Sequence, residues 1–347
     1  AIYLFHDSMK LDPAYMHSWT QSDRLAIAMN FQENGFDFFH PATYNLLTKD
    51  GITQVDCPVH DYAVAIISGI SGIDLSLSFR LYNLIFFLFG MFFYFRACRL
   101  LGVSSLVSIL IMVSIASLPF LVYYQNGFLP SIPSFAVFCI GLFYLIRSKQ
   151  LQRLKDFYLA IAFFSLAALA RLPFSIFLIA VAASMVYPLL IGESIDKRKL
   201  LAPLIGIALV VAYFLYNRML AEEYGSMFLS TFRTAEDSSG LWQTLLNSFD
   251  RWRGQLLSPY HWLIVIVLLL LYYQGRKRSN EAEALKFLNV FGAISTIGVL
   301  AYFILMSLQF VDHDYYYIDS FLPLLSLLIL SPMSKIEIKQ KWYSTFA

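Results

Sequence analysis

Along most of this chain apolar residues run in blocks and do not alternate with polar ones. The blocks fall near 80–99, 105–124, 130–147, 156–171, 173–191, 199–219, 259–274, 285–308 and 318–332. Runs of this kind read as membrane-crossing helices, which need about 20 residues; the shorter ones require tilted neighbours or half-buried ends. The pattern predicts an all-α polytopic membrane protein with about nine visible transmembrane helices. The opening AIYLF reads as the last turn of a further, first helix.

Polar positions concentrate before the first complete block, in a loop over 6–79. Its run SDRLAIAMNFQENG has apolar residues at 25, 27, 28, 29 and 31, with Ser22 as N-cap and Gly35 as stop. That spacing predicts a short amphipathic helix on the membrane surface, with Asp23 in a first turn where the helix dipole favours a carboxylate. DYAVAIISGISG follows Pro58 and is too short to span, so it predicts a second interfacial helix. A later loop, 220–258, contains SGLWQTLLNSFDRW, which predicts a surface helix with Trp252 and Arg253 near the headgroups, serving as lid or anchor. The chain then reads as one membrane domain over 1–347: the 6–79 loop, spans within 80–219, the 220–258 loop, spans within 259–332 and a cytoplasmic tail, 333–347.

Composition strengthens the membrane assignment. Of 347 residues, 59% are hydrophobic and 14% charged, against roughly 25% charged in soluble chains. A net charge of +2, with Lys and Arg scattered over short loops, argues against a nucleic-acid partner. Sixteen of the 25 basic residues fall on one side of the predicted spans, and 17 of the 23 acidic residues on the other. By the positive-inside rule the 6–79 loop, the 220–258 loop and the VDHDYYYID turn lie on the extracytoplasmic face of the cytoplasmic (inner) membrane. Cys57, Cys98 and Cys139 follow no metal-ligand spacing. No phosphate-loop, dinucleotide, nucleophile-elbow or HExxH pattern occurs, which removes support for nucleotide-driven pumps, nicotinamide enzymes, α/β-hydrolases and helix-borne zinc proteases.

The order W-x-Q-S-D-R-x-A-I-A-x-N-F, then G-F-D-F-F-H-P, G-I-T-x-V-D-x-P-V-x-x-Y and S-F-R-L-Y-N-L-I-F resembles the amino-terminal half of GT-C superfamily membrane glycosyltransferases. The closest group is the bacterial branch related to protein O-mannosyltransferases and aminoarabinose transferases. The likeness covers residues 15–100 and returns weakly at DHDYYYIDSFLPLL. It implies a first extracytoplasmic loop bearing juxtamembrane helices and an early catalytic acid, a position held here by Asp23. It also implies a second acid before a proline; this chain reads Asp56-Cys57-Pro58 where the family usually has Glu, which weakens the transfer of a role to Asp56. The implied reaction passes a sugar from a polyprenyl-phosphate donor to an acceptor hydroxyl on an envelope glycan, lipid A or a protein, with inversion.

Chemistry assigns the remaining roles. A carboxylate within reach of an alcohol can take its proton as the glycosidic bond forms, which makes Asp23 the candidate base and Asp56 the next. A leaving lipid phosphate needs fixed cations, and Arg171 in ALARLPF, then Arg80, sit at outer span ends; either could equally snorkel to headgroups. His17, Trp19 and Gln21, with His313, Tyr315 and Tyr316 of the late turn, are candidates for sugar contact or for an interfacial aromatic belt. Asp312, His313 and Asp314 are adjacent, so their side chains diverge, and no divalent metal or other cofactor is indicated. Two other classes would use the same lipids: a transporter or flippase of lipid-linked glycans, whose charges should lie within spans, and a glycan polymerase or ligase, whose large loop should come late.

Overall fold

The computed structural model describes residues 8–9, 11–190, 192, 197–226, 233–274, 276–277, 283–334 and 336–337. AIYLF and most of the 333–347 tail lie outside the described residues. Among the described residues the regular structure is helical apart from an antiparallel pairing of Arg276–Lys277 with Ile336–Glu337 and an isolated bridge between Ala42 and Ile52.

The first loop builds α1 (Ser18–Glu33) and α2 (Val59–Ser71). α1 starts four residues before the expected Ser22 cap, from His17 in the left-handed region, so Asp23 lies inside the helix and not in its first turn. It stops as expected at Gly35, whose φ of 81° lets the Phe36 N–H reach back to the Phe31 carbonyl at 2.8 Å. α2 follows Pro58 and ends at Gly72, also left-handed. The two helices do not lie separately on a surface. They pack together through Ile27, Ala28, Phe31, Val64 and Ala65, with Phe79 and Phe128 completing a small core.

The membrane part contains α3 (Leu75–Leu100), α4 (Ser105–Ala116), α5 (Pro119–Tyr124), α6 (Ser131–Leu151), α7 (Leu154–Ala170), α8 (Ser175–Leu190) and α9 (Lys197–Tyr224). After these come α10 (Ser238–Leu256), α11 (Pro259–Gln274), α12 (Glu283–Leu305), α13 (Ser307–Asp312), α14 (Tyr315–Asp319), α15 (Phe321–Leu328) and α16 (Leu330–Ser334). Among the described residues five helices are long and apolar enough to cross a membrane: α3, α6, Leu172–Leu189, α9 and α12. A sixth is reached if α10 and α11, bent by 87°, count as one span. By length and composition the described residues thus supply five or six of the nine expected spans. The 105–124 block breaks ahead of Pro119, which has no N–H to continue the helical bonding and opens a new helix at its first position, leaving α4 about 18 Å long. The 318–332 block splits into short helices at Ser320 and Ile329, and α7, with charged Lys155 and Asp156 in its first turn, has 17 residues.

Helix α6 is buried nearly all round, as an apolar helix without a polar face should be, and α3 and α7 pack on it. The α3 contact depends on Gly90: a Cβ there would stand 2.6 Å from Ala136 Cα. Gly90→Ala gains roughly 1 kcal/mol in helix propensity but forces two backbones apart, an overpacking cost of about 1–3 kcal/mol. The expected outcome is a lower unfolding temperature in detergent micelles; an alanine variant as stable as the wild type would contradict this close approach.

Candidate functional site

The segment 53–57 is stitched across the carboxyl ends of α7 and α9. Cys57 donates its N–H to the Leu169 carbonyl at 3.0 Å, satisfying an acceptor that the end of α7 leaves free. The Val55 carbonyl accepts from Asn217 Nδ2 at 2.6 Å and from the Tyr213 hydroxyl at 3.4 Å. Thr53 and the Gln54 N–H both meet the Ser226 hydroxyl at 3.1 Å. This stitching carries Asp56 to Arg171, 115 residues later in the chain.

Arg171 closes α7 in extended backbone conformation, two residues before Pro173. Its Nη1 donates to Asp56 Oδ2 at 2.8 Å and its Nε to Asp319 Oδ2 at 3.0 Å, while Nη2 also binds Asp319. Asp56 uses its other oxygen to accept the Leu172 N–H at 3.2 Å. One guanidinium thus holds two carboxylates, Asp319 being fully buried. Asp56 and Arg171 line a cavity of about 310 Å³, with Asp319 holding the arginine from the buried side. Its polar wall includes Gln54, Asp56, Arg171, Asn217 and the phenols of Tyr213, Tyr302 and Tyr316. Its apolar wall includes Leu172, Pro173, Ile176, Val210, Phe214 and Met306. Leu172 and Phe214 are also among the exposed large apolar side chains, so an apolar rim borders a charged interior.

A second group lies where the first loop meets the late turn. His17 stacks on His313 with centroids 5.3 Å apart, Trp19 meets His313 edge-on, and Tyr315 stands edge-on to His17. Asp314, buried beneath them, accepts from the Tyr124 hydroxyl at 2.6 Å and lies 3.3 Å from His17 Nε2. His313 Nδ1 faces the Gln309 carbonyl at 3.2 Å. A carbonyl only accepts, so Nδ1 carries the proton and Nε2 is left as an acceptor. Burial lowers the His313 pKa, which keeps the ring neutral near pH 7. Tyr315 links the two groups, because the Arg171 guanidinium lies 5.7 Å from its ring centroid. The late turn splits as its sequence implies: Asp312 points outward to Arg251 at 2.9 Å while Asp314 points in. Among the described residues no three His, Cys, Asp or Glu side chains are arranged to hold a metal ion.

The remaining candidates are dispersed. Asp23 is half-buried on α1 and does not line the cavity; its carboxylate has no hydrogen bond or ion pair among the described residues. Burial raises its pKa, with Arg24 opposing more weakly. Gln21 is buried and used up in fastening: Oε1 accepts the Phe128 N–H at 3.2 Å, and Nε2 meets the Met16 carbonyl and the Tyr123 hydroxyl. Arg80 staples segments together, donating to the Leu11 carbonyl at 2.7 and 3.0 Å and to the Asn126 carbonyl, over the Phe128 ring. Neither lines the cavity. Trp252, expected at the headgroups, is instead buried and donates Nε1–H to the Phe310 carbonyl at 2.9 Å. Asp319, Gln54, Tyr213, Asn217 and Tyr302 were not singled out from sequence. Asp319 had a signal, an acid at the edge of an apolar block, which always calls for a partner.

Next to Asp23, Arg24 reaches across to Asp61 of α2 at 3.1 Å, a buried ion pair joining the two loop helices. Burial raises Asp61 from 3.8 to about 6 despite Arg24, and lowers His60 to about 3, so His60 is neutral. A carboxyl raised on folding adds stability in full below about pH 4, and that stability is lost as pH rises through about 6. At ~1.4 kcal/mol per unit the swing is about 3 kcal/mol. His60 acts in the opposite sense, because an imidazole lowered on folding favours the unfolded chain until pH passes its ordinary 6.5. The two contributions oppose each other between about pH 4 and 6. Asp61→Asn removes the falling one, so its unfolding temperature should rise with pH over that range more steeply than the wild type's. An unchanged slope in the variant would locate the titration elsewhere.

Comparison of the chain with family models, with curated proteins and with solved structures gave no match in any of the three.

Proposed function

We propose that the protein transfers a sugar from a polyprenyl-phosphate donor to an acceptor hydroxyl at the outer face of the cytoplasmic membrane, as a GT-C type enzyme. The observation that carries the reading is the cavity lined by Asp56 and Arg171, the arginine held from behind by buried Asp319, with an apolar rim supplied by span ends. A lipid-linked sugar has the matching chemistry: an apolar chain, an anionic phosphate and a hydroxyl-rich head. In the proposed step the acceptor oxygen attacks the anomeric carbon, the bond from that carbon to the phosphate oxygen breaks, and the electron pair leaves with polyprenyl phosphate. Asp23, without a hydrogen bond or ion pair among the described residues and raised in pKa, takes the hydroxyl proton. Arg171 stabilises the departing phosphate by sharing donors now committed to Asp56 and Asp319. His17, Trp19, His313, Tyr315 and Tyr316 offer the aromatic faces and acceptors that an incoming glycan needs.

The test uses full-length protein in liposomes supplied with a panel of polyprenyl-phosphate sugars and with lipid A, envelope glycan or peptide acceptors. Acceptor-dependent release of polyprenyl phosphate is the expected result. Donor that crosses the bilayer with its sugar still attached would replace this reading with the transporter one.

A further inference from the structure

Helix α10 presents three different faces. At about 100° per residue, Thr244, Ser248 and Trp252 share one, which docks on α13 and the Phe310 carbonyl. Gln243 and Asn247 share another and are exposed, bonded to each other at 2.9 Å. The third carries Trp242, Leu245, Leu246 and Phe249, at i, i+3, i+4 and i+7. Four large apolar side chains there are 61, 41, 42 and 60% exposed, and Arg253 continues the same stripe at the carboxyl end. The protein's own core lies against the Trp252 face and leaves this stripe uncovered.

The neighbouring helix says what covers it. Only Leu257 and Ser258 separate α10 from α11, the two axes meet at 87°, and α11 exposes Trp262, Leu263, Ile266, Leu269 and Leu270. An apolar helix with such a surface runs through the hydrocarbon, so a helix at right angles to it lies in the plane of the membrane. We infer that α10 is an in-plane anchor whose Trp242–Phe249 stripe is immersed in the outer leaflet at the headgroup boundary, with its polar face toward water. The reversed side bolts to the site, since Trp252 lies 6.3 Å from the His17 ring. Lipid therefore supports the wall that carries His17 and His313. The inference does not depend on the reaction proposed above.

The test is fluorescence of the full chain in liposomes containing phospholipids brominated either near the headgroup or near the chain ends, comparing wild type with Trp242→Phe. Trp242 is exposed, so this variant should fold normally. The component lost in Trp242→Phe should be quenched by shallow bromines more than by deep ones and be shielded from aqueous iodide. Quenching by iodide with no response to bromolipid would make α10 a lid in water. Shielding from every quencher, with the protein eluting at twice its mass, would place a second copy on the stripe. Either result overturns the anchor.

Discussion

Arg171→Met is expected to give a protein that neither turns over donor nor remains folded to the wild-type temperature. The substitution preserves length and apolar bulk but leaves Asp56 and Asp319 facing each other without a cation, Asp319 in full burial. Removing one partner from a buried ion pair costs about 3–5 kcal/mol, because the surviving charge has no water to turn to. For a chain of this size that corresponds to a drop on the order of 10 °C in the unfolding midpoint. Two further variants separate charge from shape. Arg171→Lys keeps the charge but loses the fork that spans two carboxylates, and should recover part of the stability and little of the turnover. Arg171→Met combined with Asp319→Asn should be more stable than Arg171→Met alone, since it removes the like-charge pair. If the single methionine variant unfolds at the wild-type temperature, the trio is not what joins the first loop to the spans.

That join also shows where the sequence was sufficient and where it was not. Local signals held up where local physics decides: Gly35 ends its helix in the left-handed region and Pro58 precedes α2. The long apolar blocks likewise became α3, α6, α9 and α12. Hydropathy failed where an apolar block is broken by backbone geometry, as at Pro119 and Ser320, because a sliding average registers composition and not a lost helical hydrogen bond. It failed too at α1, where Gln21, Arg24 and Asn30 are buried along with Ile27 and Phe31 around much of the helix. Gln21 and Arg24 meet tertiary partners that a helical pattern does not reveal. Arg171 stood out as a costly cation, yet its two partners lie 115 and 148 residues away, a pairing only the fold supplies.

Asp23→Asn is expected to slow release of polyprenyl phosphate by about a hundredfold or more, the scale of a lost general base, while leaving donor binding and the unfolding temperature near wild type. The structural cost should be small because this carboxylate, half-buried on α1, has no hydrogen bond or ion pair to lose among the described residues. The same surroundings tune it: with burial outweighing Arg24, the pKa stands above the ordinary 3.8. A base must be ionised to act, so the acidic limb of the wild-type pH–rate profile should have its midpoint above that value and vanish in the residual activity of Asp23→Asn. Asp56→Asn supplies the contrast. It removes one of Arg171's two anchors, so it should lower both stability and donor affinity without moving the acidic limb. If Asp56→Asn abolishes the limb and Asp23→Asn turns over as fast as wild type, the proton goes to the cavity wall and not to α1. The aspartate that already touches Arg171 would then hold the base role, with the arginine acting on base and leaving group together.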